Sequence, residues 1–127
     1  VMEFVADGEV YIMGDADKIT QVLCNLIGNA INYTGADKKI IVRQSLNEHH
    51  VRVDVIDSGE GIAAQDIPYV WDRYYKGDKA RKRLVSGTGL GLSIVQKILE
   101  LHGATYGVES KPGMGADFWF AFEIVEK

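Results

Sequence analysis

Apolar residues recur at helical spacing from Ile19 through Val22, Leu23, Leu26, Ile27 and Ala30. This is the stripe of an amphipathic helix. Asp15, just after Gly14, is suited to cap its start, and the pattern predicts a helix to about Tyr33 that stops near Gly35. A second helical run covers residues 90–101 and ends at Gly103. Elsewhere the period is two. Val51, Val53 and Val55 alternate with Arg52 and Asp54, and residues 39–46 and 51–56 predict a hairpin around residues 47–50. Residues 1–6, 10–13, 106–110 and 118–125 predict further strands, with turn residues at Asp7-Gly8 and Lys111-Pro112-Gly113. A short helix is expected before Trp71, and residues 76–88 read as a mobile loop. Frequent hairpins with two long helices predict an α+β fold. Its form is a two-layer sandwich, with a mixed, mostly antiparallel sheet and helices packed on one face.

The chain has 127 residues, the length of one domain. Hydrophobic residues make up 46% and charged residues 25%, which excludes a disordered tail, a fibre and a coiled coil. The net charge of −4 argues against a nucleic-acid binder, which needs a basic stripe. The charge is uneven. Residues 72–83 hold Arg73, Lys76, Lys79, Arg81, Lys82 and Arg83 against Asp72 and Asp78, a local surplus of four positive charges. Such a segment suits either a small anionic ligand or a solvated basic loop. Cys24 is the only cysteine, so no intrachain disulfide forms. It lies in the first helical pattern and reads as a small buried apolar residue. No run of about 18 apolar residues exists to span a membrane, and no signal peptide is visible. The start at Val1-Met2 reads as that of an excised fragment, so residues 1–127 are expected to be one domain of a larger protein.

Three segments carry candidate chemistry. Asn25, Asn29 and Asn32 fall within about 60° of one another on the first helix, at the margin of its apolar face. Asn is a poor helix former, so the stripe suggests amide oxygens offered to a hard cation or amide nitrogens offered to phosphate. A polar shoulder on an amphipathic helix is the alternative. Asp57-Ser58-Gly59-Glu60-Gly61-Ile62 follows a strand. An ionised Asp only accepts hydrogen bonds, so it selects a ligand edge that donates, such as the exocyclic amine of adenine and not the carbonyl of guanine. Glycines let a flat ligand approach the backbone, although the same residues also make a plain turn. Gly87-Thr88-Gly89-Leu90-Gly91-Leu92 opens the second helix, where free N–H groups attract anions. Its G-x-G-x-G spacing is neither the dinucleotide fingerprint nor a Walker loop.

In this order the three segments resemble the ATP-binding domain of sensor histidine kinases of two-component systems. These belong to the Bergerat-fold ATPases, together with DNA gyrase and the 90-kDa heat-shock chaperone. Residues 23–34, reading LCNLIGNAINYT, resemble the family's N-box. Residues 57–61 resemble its first glycine box. Residues 71–76, reading WDRYYK, resemble its F-box, with Trp71 where Phe is usual, and residues 87–92 its second glycine box. The resemblance implies that Asn29 coordinates Mg²⁺ bridging the ATP phosphates, that Asn25 and Asn32 lie along those phosphates, and that Tyr33 packs near adenine. It implies that Asp57 accepts from the adenine amine, with Gly59, Gly61 and Ile62 shaping the base pocket. Tyr75 and Lys76 reach the nucleotide from a lid over about 76–88. Gly87, Thr88, Gly89, Leu90, Gly91 and Leu92 meet the phosphates, and Arg81 or Arg83 adds charge.

Three positions depart from the family pattern. Asn32 stands where many members carry a basic residue. Ala116, after Gly113-Met114-Gly115, stands where a hydroxyl is common. Asn25 stands where the gyrase-like relatives place the Glu that activates water, and an amide cannot serve as that base. Hydrolysis is therefore disfavoured and transfer to a supplied acceptor favoured. His49, His50 and His102 do not resemble the phosphoacceptor helix, so the acceptor histidine is expected on a separate phosphoacceptor domain of the same protein. A response regulator would act downstream. The implied setting is cytoplasmic, in a homodimeric parent of a family that includes membrane sensors, with the fragment itself a monomer free of nucleic acid and direct membrane contact. The alternatives are a nucleotide-binding regulatory module without transfer, or an autonomous ATPase of the gyrase or chaperone type.

Overall fold

The computed structural model describes residues 2–6, 8, 10–33, 39–65, 67–71, 91–110 and 113–125, and the side chains of these except residues 3–5, 32 and 33. The chain forms β1 (Met2–Ala6), α1 (Ala16–Tyr33), β2 (Ile40–Leu46), β3 (His50–Asp57), a 3-10 turn at Ile67–Tyr69, α2 (Gly91–Leu101), β4 (Thr105–Ser110) and β5 (Ala116–Glu123). The five strands make one sheet in the order β1-β2-β3-β5-β4. β1 runs parallel to β2, and the other neighbours are antiparallel. This is the mixed, mostly antiparallel sheet that the pattern predicts. The lid expected at 76–88 lies outside the described residues.

Local chemistry accounts for the element ends. Asp15 caps α1: its Oδ1 accepts from the Lys18 amide at 3.1 Å, and its carbonyl accepts from the Ile19 amide. α2 ends where Gly103 takes a φ of 68°, with the Ala104 amide bonded back to the Leu99 carbonyl. In the β2–β3 hairpin, Asn47 Oδ1 accepts from the amides of His49 and His50. This is the side-chain turn that Asn favours.

Both helices lie on one face of the sheet. Val22, Leu26 and Ala30 of α1 and Leu92, Val95, Ile98 and Leu99 of α2 join one core with Val51 and Val55 of β3 and Phe118, Phe120 and Phe122 of β5. Trp71 belongs to this core, edge-on to Tyr106 and Phe118 at centroid distances of 5.1 and 5.5 Å. Two expectations are corrected. Cys24 is exposed, because at 100° per residue it points about 200° away from Val22, to the solvent side of α1. Residues 10–13 form no strand; Tyr11 alone bridges to Val125. β5 already has β3 and β4 as neighbours, so Tyr11 can pair only beyond Glu123, where β5 has ended.

The opposite sheet face carries charge. The Arg52 guanidinium grips Asp54 with two hydrogen bonds of 3.0 Å and stacks 4.4 Å above the Trp119 ring. The indole lies directly over Gly107, where a Cβ would come within 2.8 Å of it. Glu109 and Asp117 approach the same guanidinium at 3.6 and 3.8 Å. Burial, and then the neighbouring Asp54 carboxyl, push Asp117 well above the ordinary carboxylate range, to about 8, against the pull of Arg52. A carboxyl raised in the folded state binds a proton that the unfolded chain has released. Folding stability therefore falls as pH rises from about 4 through about 8. The urea midpoint of the wild type is expected to drop between about pH 5 and about pH 9. That of Asp117→Asn, whose amide donates to Asp54 without titrating, is expected to drop less. Equal slopes would contradict this account of the pair.

Candidate functional site

The helix wheel places Asn29 about 20° from Val22, against the sheet. The side chain is buried accordingly, with 9% of its surface exposed. Asn25, one turn earlier, is half-buried. Asn32 lies in the same helix, as does Tyr33 at its end. α1 packs on β3, the strand that ends at Asp57, and on α2, which Gly91 opens.

Asp57 ends β3 and is only 2% exposed. An ionised carboxylate so deep needs donors, and the chain supplies one locally: Oδ1 accepts from the Gly59 amide at 2.9 Å. Gly61 takes a φ of 80°, a region in which glycine is at ease, and the backbone then turns inward so that Ile62 enters the core. Asp57, Gly59, Gly61 and Ile62 are thus brought together at one strand tip. At the third segment, Gly91 opens α2 and Leu92 is buried in the shared core. Gly87, Thr88, Gly89, Leu90, Tyr75, Lys76, Arg81 and Arg83 lie outside the described residues.

Two residues at this tip had no role in the sequence reading. Ser110, the last residue of β4, accepts from the Ile62 amide at 2.8 Å and donates to the Gly115 carbonyl. Gly115, at a φ of 73°, passes so close to the Asp57 carbonyl that no Cβ fits. The Gly113 amide donates to the Glu60 carbonyl. The start of β5 therefore straps the Asp57–Gly61 turn, with Ala116 paired to Asp57 in register. The hydroxyl missing at Ala116 has a neighbour in Ser110, which lies opposite Ala116 on β4. The Gly-x-Gly spacing at 113–115 was the visible signal for the strap. Nothing in the sequence marks Ser110, because its partner Ile62 is 48 positions away.

Residues 14–126 match the family described as histidine kinase-, DNA gyrase B-, and HSP90-like ATPases. The chain belongs to that family. Within this ATPase family its relatives include the sensor histidine kinase WalK of Bacillus subtilis, 37% identical over 95% of this chain and 20% of that protein. Another is the sensor protein SrrB of Staphylococcus aureus, 43% identical over 82% of this chain and 18% of that protein. The chain thus spans about a fifth of the length of these curated relatives. The catalytic domain of the histidine kinase ThkA, solved nucleotide-free, superposes with a TM-score of 0.81 at 33% identity, covering 96% of this chain and 77% of that one. Full-length ShkA in complex with AMPPNP superposes at 0.82 with 25% identity, over 99% of this chain and 26% of that one. These likenesses make the chain the ATP-binding catalytic domain type of sensor histidine kinases. Among the described residues, no helix is long and apolar enough to cross a membrane.

The strap gives a test of its own. Ser110→Ala leaves the Ile62 amide without its side-chain acceptor in a part-buried place. The expected loss is about 1–3 kcal/mol, read from the denaturant midpoint at unchanged slope. An unchanged midpoint would remove Ser110 from the architecture of the tip.

Proposed function

We propose that this domain binds Mg²⁺–ATP and donates the γ-phosphoryl group to a histidine on a phosphoacceptor domain of its parent protein, within a two-component sensor kinase. The observation that carries the reading is the buried Asp57 at the glycine-lined tip of β3. Its carboxylate is deep enough to discriminate and only accepts hydrogen bonds, which suits the amine edge of adenine. Gly59, Gly61 and Ile62 would form the wall beside the base, with Tyr33 close to it. Asn25 and Asn32 on α1 and residues 87–92 at the head of α2 would hold the phosphates, where helix N-terminal amides favour anions. Tyr75 and Lys76 would reach in from the lid.

Asn29 fits a Mg²⁺ ligand. It offers a hard amide oxygen from a buried position, and Mg²⁺ bound with a nucleotide takes few protein ligands because phosphates and water fill the rest of its shell. Bound there, the ion would neutralise charge on the phosphates. The protein's own share is to hold the nucleotide, to exclude the wrong base through Asp57, and to offer no base for water at Asn25. The acceptor nitrogen attacks the γ-phosphorus, the bond to the bridging oxygen breaks, and ADP leaves. Positioning and charge neutralisation are most of what this reaction asks of a protein. The parent would act in the cytoplasm as a homodimer and pass the phosphoryl group to a response regulator.

A non-hydrolysable ATP analogue with Mg²⁺ is expected to give heat of binding with the wild type. Asp57→Asn turns an amide donor toward the adenine amine and is expected to weaken binding roughly 10- to 100-fold. No heat from the wild type, or equal affinity for Asp57→Asn, would overturn the adenine pocket. Labelled ATP and an isolated phosphoacceptor domain separate transfer from a silent nucleotide-binding module, the reading that Asn32 and Ala116 motivate. Label on the acceptor histidine, with little phosphate release by the domain alone, is the expected result.

A further inference from the structure

The two helices that flank the proposed pocket are tied at its far end by an imidazole. His102 directly follows α2. Its Nε2 lies 3.1 Å from the backbone nitrogen of Asp15, and its Nδ1 lies 2.8 Å from the Ile98 carbonyl oxygen. The Asp15 amide can only donate and the Ile98 carbonyl can only accept. With those partners Nε2 accepts from Asp15 and Nδ1 donates to Ile98.

The bond completes a helix cap in an unusual way. In a capping box, the N-cap side chain accepts from the amide at the third helical position, and a Glu or Gln at that position accepts from the N-cap amide. Here the third position is Lys18. Its amide donates to Asp15 as expected, but its ammonium has no lone pair to return. His102 of the other helix takes that half of the box. Gly14 makes the approach possible, since a Cβ there would come within 2.6 Å of Ile19 Cδ1 and 2.9 Å of His102 Cδ2. Phe122 of β5 meets the ring edge-on at 6.1 Å. Helices are stiff, with about 21 Å of rise from Asp15 to Asn29 and about 16 Å from His102 back to Gly91. A shift at the joint is carried along both.

We infer that His102 is a positioning residue for the nucleotide site: by capping α1 from the end of α2, it sets the placement of Asn25 and Asn29 against the head of α2. The inference rests on the nucleotide-binding reading above. Around the joint lie the Asp15 carboxylate, engaged at the cap, and Lys18, Lys97 and Glu100, which line the same interhelical groove; Phe122 of β5 meets the ring.

The test measures affinity for the ATP analogue with Mg²⁺ in the wild type, His102→Ala, His102→Gln and Gly14→Ala. His102→Ala and Gly14→Ala are expected to bind roughly three- to tenfold more weakly while remaining folded. His102→Gln, whose amide oxygen can accept from Asp15, is expected to recover most of that loss. Unchanged affinity in His102→Ala, or a His102→Gln affinity no better than that of His102→Ala, overturns the inference. If the wild type binds no nucleotide, the nucleotide reading fails instead. The joint is then judged on the amide resonances of Asn29 and Leu92. Shifts in His102→Ala that His102→Gln lacks support it, and their absence overturns it.

Discussion

A carboxylate buried at the end of a central strand constrains everything around it. Asp57 has left water, and a charge in that position is costly unless donors are fixed about it. The turn that follows bends back to give it the Gly59 amide. That bend requires the left-handed backbone at Gly61 and drives Ile62 into the core. The crossing at Gly115 then closes over the Asp57 carbonyl so tightly that only glycine is admitted. Strand, turn and strap form one unit, and its geometry is inherited from the sheet register that pairs Asp57 with Ala116.

The two faces of the sheet solve different problems. On one, phenylalanines of β5 interlock with both helices, and burial of apolar area supplies the stabilisation. On the other, no helix of the described residues covers the strands. Trp119 lies flat on Gly107 with Arg52 stacked above it, so apolar and ionic surfaces shield each other. The cost appears at Asp117, crowded by Asp54 and Glu109 around a single guanidinium and left favouring its protonated form.

The helices, the hairpin and the glycine punctuation were legible because their signals are local. Asp15, the Val22–Leu26–Ala30 stripe and Asn47 each announce their structure within a few residues. The placement of Asn29 was legible for the same reason, since the wheel that buries Val22 also buries it. Cys24 belongs to the helical pattern but not to its apolar face, and the pattern alone does not separate the two. The short strand at 10–13 was misread because propensity says nothing about whether a sheet edge is available. Ser110 and His102 were invisible as partners. Each bonds a backbone group 48 or 87 positions away, and no spacing in the sequence encodes such a meeting.

The bridge between Tyr11 and Val125 also shapes how the chain finds its fold. It joins residues near opposite ends of the described chain, so forming it early would close almost the whole polypeptide into a loop for little return. The β2–β3 hairpin and the two helices need no such closure, and contacts of short span form sooner. The bridge therefore belongs to the final stage of assembly. It acts as a clasp fastened once the sheet stands.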